Sequence, residues 1–351
     1  MSALPVDEAM IPVVVSRLVE QARSGGSEAR VESLRVLRNM TCVADDDIRA
    51  LIFRIDGVRE VIVAAAAVAA TATHTEIAST ANPAAADEVD LTVVLRLHAV
   101  ASLRNLSCCP PITPHMWADA AGCRAVLLRL AQPGGSEEDD PLRLESVTAL
   151  RNLASAPENA RSMWEDEGCR AVCLAGAAEE GSSRSPETAA LRLEAVKALR
   201  NLSAAPANEA AMFADKELRR VFTIGASPTG QPDDVREACL RGLQHLASAN
   251  QAEMYNDAGV RVVLLEGAAV MLEETEETGE ETEEKGAETD GGEEEEGERE
   301  KAVCMQWLCV SILRVLSTRD ENAVRMWADV EGCRAVFLDC AAVGQNEEVT
   351  W

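Results

Sequence analysis

Internal repetition constrains this chain more than any other feature. The stretch LESVTALRNLAS at 144–155 returns as LEAVKALRNLSA at 193–204, LHAVASLRNLSC at 97–108 and VESLRVLRNMTC at 31–42. The residues shared at one position are Asn39, Asn105, Asn152 and Asn201. Two weaker copies follow: CLRGLQHLAS puts His245 there, and CVSILRVLST puts Val315 there. A second block trails the first, as MWADAAGCRAVLL from Met116, MWEDEGCRAVCL from Met163 and MWADVEGCRAVFL from Met326. Trp117, Trp164 and Trp327 each lie 12 residues after the Asn position, as does Phe213, while Tyr255 lies 10 after His245. In the first copy Phe53 is the counterpart. Six copies of one motif in phase predict layers that stack on one another, because a single layer of this size cannot bury its own apolar face.

Each copy splits into three helices. In the third, Leu144, Val147, Leu150 and Leu153 step by three and lay an apolar stripe along a helix. Pro157 breaks it. A short helix carrying Met163 and Trp164 follows, with Gly168 as its expected stop, and a further helix spans about Cys169 to Ala178. The long helices are expected over 30–42, 92–107, 141–155, 189–204, 233–248 and 302–318. Composition agrees. Aromatics make up only 3% with a single Tyr, and Ala, Leu, Val, Arg and Glu dominate, so helical layers fit better than a large globular core.

These blocks resemble the armadillo repeat family, whose third helix reads roughly A-L-x-N-L-A and whose second helix reads G-x-x-x-A-L-V-x-L-L. The resemblance implies an all-α, α-α superhelix of about six three-helix repeats over residues 1–342, with MIPVVVSRLV at 10–19 as a capping helix and 343–351 as a tail. A stack of HEAT-type repeats is the near alternative, being built by the same physics. The family binds extended peptides along its third helices. It thereby implies a protein-binding role for Asn39, Asn105, Asn152 and Asn201, with His245 at the same register. An Asn amide both donates and accepts, so it can serve a peptide unit or a neighbouring repeat equally well.

Two more columns share that face. Seven residues earlier stand Glu32, His98, Glu145 and Glu194, and four earlier stand Arg35, Ala101, Thr148 and Lys197. Glu145, Glu194, Thr148 and Lys197 are therefore candidate contacts for a charged ligand, although a solvated face would look the same. Importin-type members carry Trp in the latter column, and its absence here argues against a nuclear-import receptor. The Arg before each Asn (Arg38, Arg104, Arg151, Arg200) sits about 100° off that face, where it is expected to pair with the next repeat's Glu. The aromatic column is expected to be core.

Charge and cysteines narrow the function. The net charge is −27, with no cluster of Lys and Arg, so neither nucleic acid nor an anionic membrane is an expected ligand. The acidic opening MSALPVDEAM is not expected to act as a secretory signal, and the longest apolar run, Val61 to Ala70, is too short to span a bilayer. Eleven Cys in such a chain are expected to be reduced thiols in a cytoplasmic or nuclear protein, not a secreted one. None has the paired spacing of a zinc site, and no phosphate-binding, dinucleotide or hydrolase signature occurs. The expectation is thus a monomeric, non-enzymatic scaffold without metal or cofactor that binds extended or helical segments of other proteins, basic segments among them. Residues 272–301 carry 15 Glu and one Asp against two Lys and one Arg, and are expected to form a disordered insertion. They motivate an alternative function, an acidic chaperone or assembly factor for basic proteins. The other insertions, at 71–90, 132–140, 179–187 and 226–234, fall at the same point of each copy.

Overall fold

The computed structural model describes residues 8–68, 83–134, 139–178, 185–277 and 292–343. Among the described residues regular structure is helical throughout, with nineteen α-helices, one 3-10 turn and no strand. A lone helix, α1 (Ile11–Ser24), comes first, with Pro12 in its opening turn, where a missing N–H costs nothing. Six long helices then fall on the repeated block: α2 (Ser27–Val43), α5 (Pro83–Ser107), α8 (Asp140–Leu153), α11 (Pro186–Ser203), α14 (Asp233–Ala247) and α17 (Gly292–Ser317). Each leads into a short helix bearing the aromatic residue: α3 (Asp46–Arg54), α6 (Thr113–Ala118), α9 (Pro157–Glu165), α12 (Glu209–Ala214), α15 (Gln251–Asn256) and α18 (Asp320–Ala328). The third members are α4 (Val58–Ala66), α7 (Cys123–Leu130), α10 (Glu167–Ala178), α13 (Lys216–Gly225), α16 (Ala258–Glu277) and α19 (Cys333–Val343).

The chain divides into two compact units, Met1–Leu202 and Ser203–Trp351. In the first, α1 packs on α2, α2 on α5 and α5 on α8, while α4 closes against α1 and α5. The stripe predicted from the period of three is its core: Leu34, Leu37, Leu103, Leu106, Leu150 and Leu153 are buried. Each such side chain stabilises by roughly 1.5–3 kcal/mol relative to exposure. The second unit repeats the plan, with α17 resting on α14 and α16 and with Leu240, Leu243, Leu246, Leu313 and Leu316 buried. Gly242 is a packing requirement there. A Cβ on it would lie 2.5 Å from the Phe222 ring, inside contact distance.

Two expectations need correction. The short helix of the third copy is stopped by Asp166, whose backbone is extended, whereas Gly168 lies inside α10. Asp166 also accepts from the Cys169 N–H at 2.9 Å, so one residue ends a helix and caps the next. The acidic insertion is not irregular throughout 272–301. Helix α16 runs to Glu277 and α17 starts at Gly292, because Glu is a good helix former and both helices are anchored by their apolar halves. Residues 278–291 lie outside the described residues, as do much of the insertions at 71–90, 132–140 and 179–187, the first seven residues and the tail beyond 343. The long helices also start earlier than expected, at 83 and 292 in the clearest cases.

Candidate functional site

The Asn column faces the neighbouring layer. Asn105 donates from Nδ2 to the Arg38 carbonyl at 3.1 Å and to Thr41 Oγ1 at 3.3 Å, both on the preceding long helix. Asn152 donates to the Arg104 carbonyl at 3.3 Å, to Ser107 Oγ at 3.0 Å and to Cys108 Sγ at 3.1 Å. Asn201 donates to the Arg151 carbonyl at 3.1 Å. The last carbonyls of a helix have no intrahelical partner, and Asn152 and Asn201 supply one to Arg104 and Arg151 from the layer that follows. Asn105 and Asn152 are buried, whereas Asn39, on the first long helix, is exposed. In the second unit His245 Nδ1 shares a hydrogen bond with Ser203 Oγ at 3.2 Å. The amide nitrogens of Asn105, Asn152 and Asn201 are therefore committed to stacking.

The charged columns beside it form a ladder. Arg104 pairs with Glu145 and Arg151 with Glu194, each at 2.8 Å, linking one long helix to the next as the Arg position suggested. Lys197 lies 3.2 Å from Glu194, and Arg35 forms an exposed pair with Glu32. Glu145, Glu194, Thr148 and Lys197 are half-exposed, so these side chains lie where the ladder meets solvent. On α2, α5, α8 and α11 the columns place six cations (Arg35, Arg38, Arg104, Arg151, Lys197 and Arg200) against three carboxylates (Glu32, Glu145 and Glu194). A chain of net charge −27 thus carries a cation-rich strip. His98 sits within it. Burial, then Arg38 and Arg35, hold its imidazole below the ordinary value.

Three further sets of polar residues escaped the sequence reading. The first is a second Asn series. Asn159 donates to the Leu153 and Thr113 carbonyls at 3.0 and 3.2 Å, Asn250 to the Leu246 and Glu209 carbonyls at 2.8 and 3.1 Å, and Asn322 to the Leu316 and Gln251 carbonyls at 3.0 and 2.9 Å. Each joins the end of its own long helix to the short helix before it. The signal was present, since Asn159 and Asn322 stand seven residues after Asn152 and Val315. The second is the Arg of G-C-R-A-V, which stacks on the aromatic of its own layer: Arg124 over Trp117 at 5.1 Å, Arg170 over Trp164 at 5.5 Å, Arg219 over Phe213 at 5.3 Å and Arg261 over Tyr255 at 5.5 Å. The third stands nine residues before the Asn position. Arg143 donates to the Ala131 carbonyl at 3.3 Å, and Arg192 to that of Ala177 at 3.4 Å, each serving the C-terminal end of a helix in the layer before.

The aromatic column is core in four places, half-buried at Phe53 and open in the last. Trp117, Trp164, Phe213 and Tyr255 are at most 4% exposed, but Trp327 is 58% exposed. Cys123 and Cys309 are buried among apolar groups, which pushes both thiols up to about 12. Among the described residues no group of three or more His, Cys, Asp or Glu is placed to hold a metal ion, and no helix is long and apolar enough to cross a membrane.

With this geometry in place, comparison with solved structures is decisive for the fold. A designed armadillo repeat protein, YIII(Dq)4CqI, matches over 86% of this chain and 99% of its own, at a TM-score of 0.54 and 15% identity. The fold is an armadillo-type α-α solenoid. An engineered protein solved by a structural genomics consortium matches over 85% of this chain and 97% of its own, with a TM-score of 0.50 and 18% identity. No family model and no curated protein sequence matches the chain. At such identities the armadillo likeness carries the architecture alone, and the binding residues must be argued from this chain's own side chains.

Proposed function

We propose that this protein is a non-enzymatic scaffold whose long-helix face in residues 8–202 binds an extended segment of a partner protein, and that the segment is acidic. The observation that carries the reading is the cation-rich ladder of Arg35, exposed, and Arg38, Arg104, Arg151 and Lys197, half-exposed, on a chain that is otherwise strongly acidic. Glu145 and Glu194 each share their charge with two or fewer of these cations, so a carboxylate-bearing ligand gains attraction along the strip. This departs from the basic partner that the Glu-rich insertion at 272–301 suggested. The ligand contacts are assigned to Lys197, Thr148, Arg35 and the outer edges of the Arg–Glu pairs. The Asn column contributes through Asn39, and elsewhere by holding the helices in register.

Fluorescence anisotropy with two labelled peptides of equal length tests this, one Glu-rich and extended, the other its Lys-rich counterpart. The acidic peptide should bind, with affinity falling as salt is added. Deleting 278–291 should leave that binding in place. Preference for the basic peptide, lost on the same deletion, would overturn the reading in favour of an acidic chaperone working through the Glu-rich segment.

A further inference from the structure

The first helix and the last described layer carry apolar surface of the kind that the layers between them bury. Twelve large hydrophobic side chains are exposed among the described residues. Six of them, Val303, Trp307, Val324, Trp327, Val330 and Leu338, belong to the final layer, and three more, Met10, Val13 and Val14, sit just before or at the start of α1. A terminal repeat normally shows solvent a polar outer face. Here the last layer shows the surface that interior layers use for stacking. Trp117, at the register of Trp327, is 3% exposed and donates its indole N–H to Ser162 Oγ of the next layer at 2.9 Å. Tyr255, at the same register, lies under Arg325 of the next layer at 4.9 Å.

The interior shows what kind of surface covers this face. Within each unit it is the opposite face of the following layer. Three of these contacts carry a charge pair of one kind. The Arg of the last helix in one layer reaches the acidic residue at the start of the last helix in the next: Arg59 to Asp119 at 3.6 Å, Arg124 to Asp166 at 3.9 Å and Arg219 to Asp257 at 3.4 Å. In the final layer the corresponding Arg334 stacks on Trp327 at 4.6 Å. Helix α1 supplies the matching opposite face. It packs on α2, α3 and α4 as the last helix of a preceding layer would, the 3-10 turn before it carries Glu8 and an exposed Met10, and its own outer side shows Val13 and Val14.

We infer that the open face of the final layer, α17 to α19, receives α1 of a second copy of this chain, head to tail, with Arg334 paired to Glu8 of the incoming copy. The contact continues the internal stacking mode and is heterologous, so it propagates rather than closing on a two-fold axis. Like charges on the two copies oppose it, so added salt strengthens the association while it weakens the peptide binding proposed above.

Sedimentation equilibrium of the full chain over a range of concentrations tests this. The mass should rise above the 37.5 kDa of one chain, more so at high salt. A tail-blocked variant (Trp327→Glu with Leu338→Glu) and a head-blocked variant (Val13→Glu with Val14→Glu) should each stay at one chain alone, with helical circular dichroism unchanged. An equimolar mixture of the two should form a 1:1 dimer and nothing larger. A wild-type chain at single-chain mass throughout overturns the inference. So does a head-blocked variant that still associates, which would mean that tail faces pair with each other.

Discussion

The second and the last layers carry nearly the same words, MWADAAGCRAV and MWADVEGCRAV, and put them to different use. In the second, Trp117 is buried, Arg124 stacks on it, and Ser162 of the next layer accepts its N–H. In the last, Trp327 keeps its Arg334 stack, and most of the ring is open. A residue's environment in a stack is therefore set by the neighbouring layer as much as by its own sequence. The Asn position makes the same point. Asn105 and Asn152 tie adjacent long helices, whereas the last layer has Val315 there, and its backbone carbonyl accepts instead from Gln251 Nε2 at 3.2 Å. The long-helix tie is made there by Gln244, which donates from Nε2 to Ser311 Oγ at 2.8 Å.

The largest effect that would break this comparison is at the aromatic column. Trp117→Ala should cost about 3–5 kcal/mol, while Trp327→Ala in the single chain should stay within about 0.5 kcal/mol. Urea unfolding of both variants at low protein concentration checks this, and equal losses would show that the last layer is covered. A smaller effect is expected at the stitches. Asn159→Ala and Asn152→Ala leave carbonyls and hydroxyls without their donor and should each cost roughly 1–3 kcal/mol. Asn39→Ala, on an exposed residue, should cost well under that.

The ladder is weaker again. A double-mutant cycle on Arg104 and Glu145, which are about one-third exposed, should return about 0.2–1 kcal/mol. The smallest effect concerns protons. The His98 imidazole titrates below its ordinary 6.5 in the folded chain, so the unfolded chain takes the proton first. Stability should therefore be complete above about pH 6.5 and fall slightly as pH drops below it. His98→Asn should flatten that slope in denaturant midpoints measured across the range.

Much of the fold was legible because the period of three in Leu144, Val147, Leu150 and Leu153 states which side of a helix is apolar, and six copies in phase state that the helices stack. The Arg104–Glu145 and Arg151–Glu194 pairs were legible for the same reason, since position on a helix fixes direction. Which neighbour a polar side chain meets was not. An Asn one face away from the stripe serves a ligand or the preceding helix with equal chemistry, and only the closeness of the Arg38 carbonyl to Asn105 separates the two. Asn159 was passed over because it follows the Pro157 break and reads as ordinary turn chemistry. Trp327 was expected in the core because its own layer matches the others, and the residues that bury such a ring belong to the next layer.

The division of labour between a stitching Asn column and a ligand-facing charged column is tested most directly by measuring peptide affinity and unfolding midpoint together for two variants. Lys197→Glu should weaken binding of the acidic peptide by about tenfold and leave the midpoint nearly unchanged. Asn152→Ala should lower the midpoint and, at temperatures where it stays folded, keep the affinity. Loss of affinity in Asn152→Ala with full stability, and none in Lys197→Glu, would place the ligand on the Asn amides and contradict the assignment made from their hydrogen bonds.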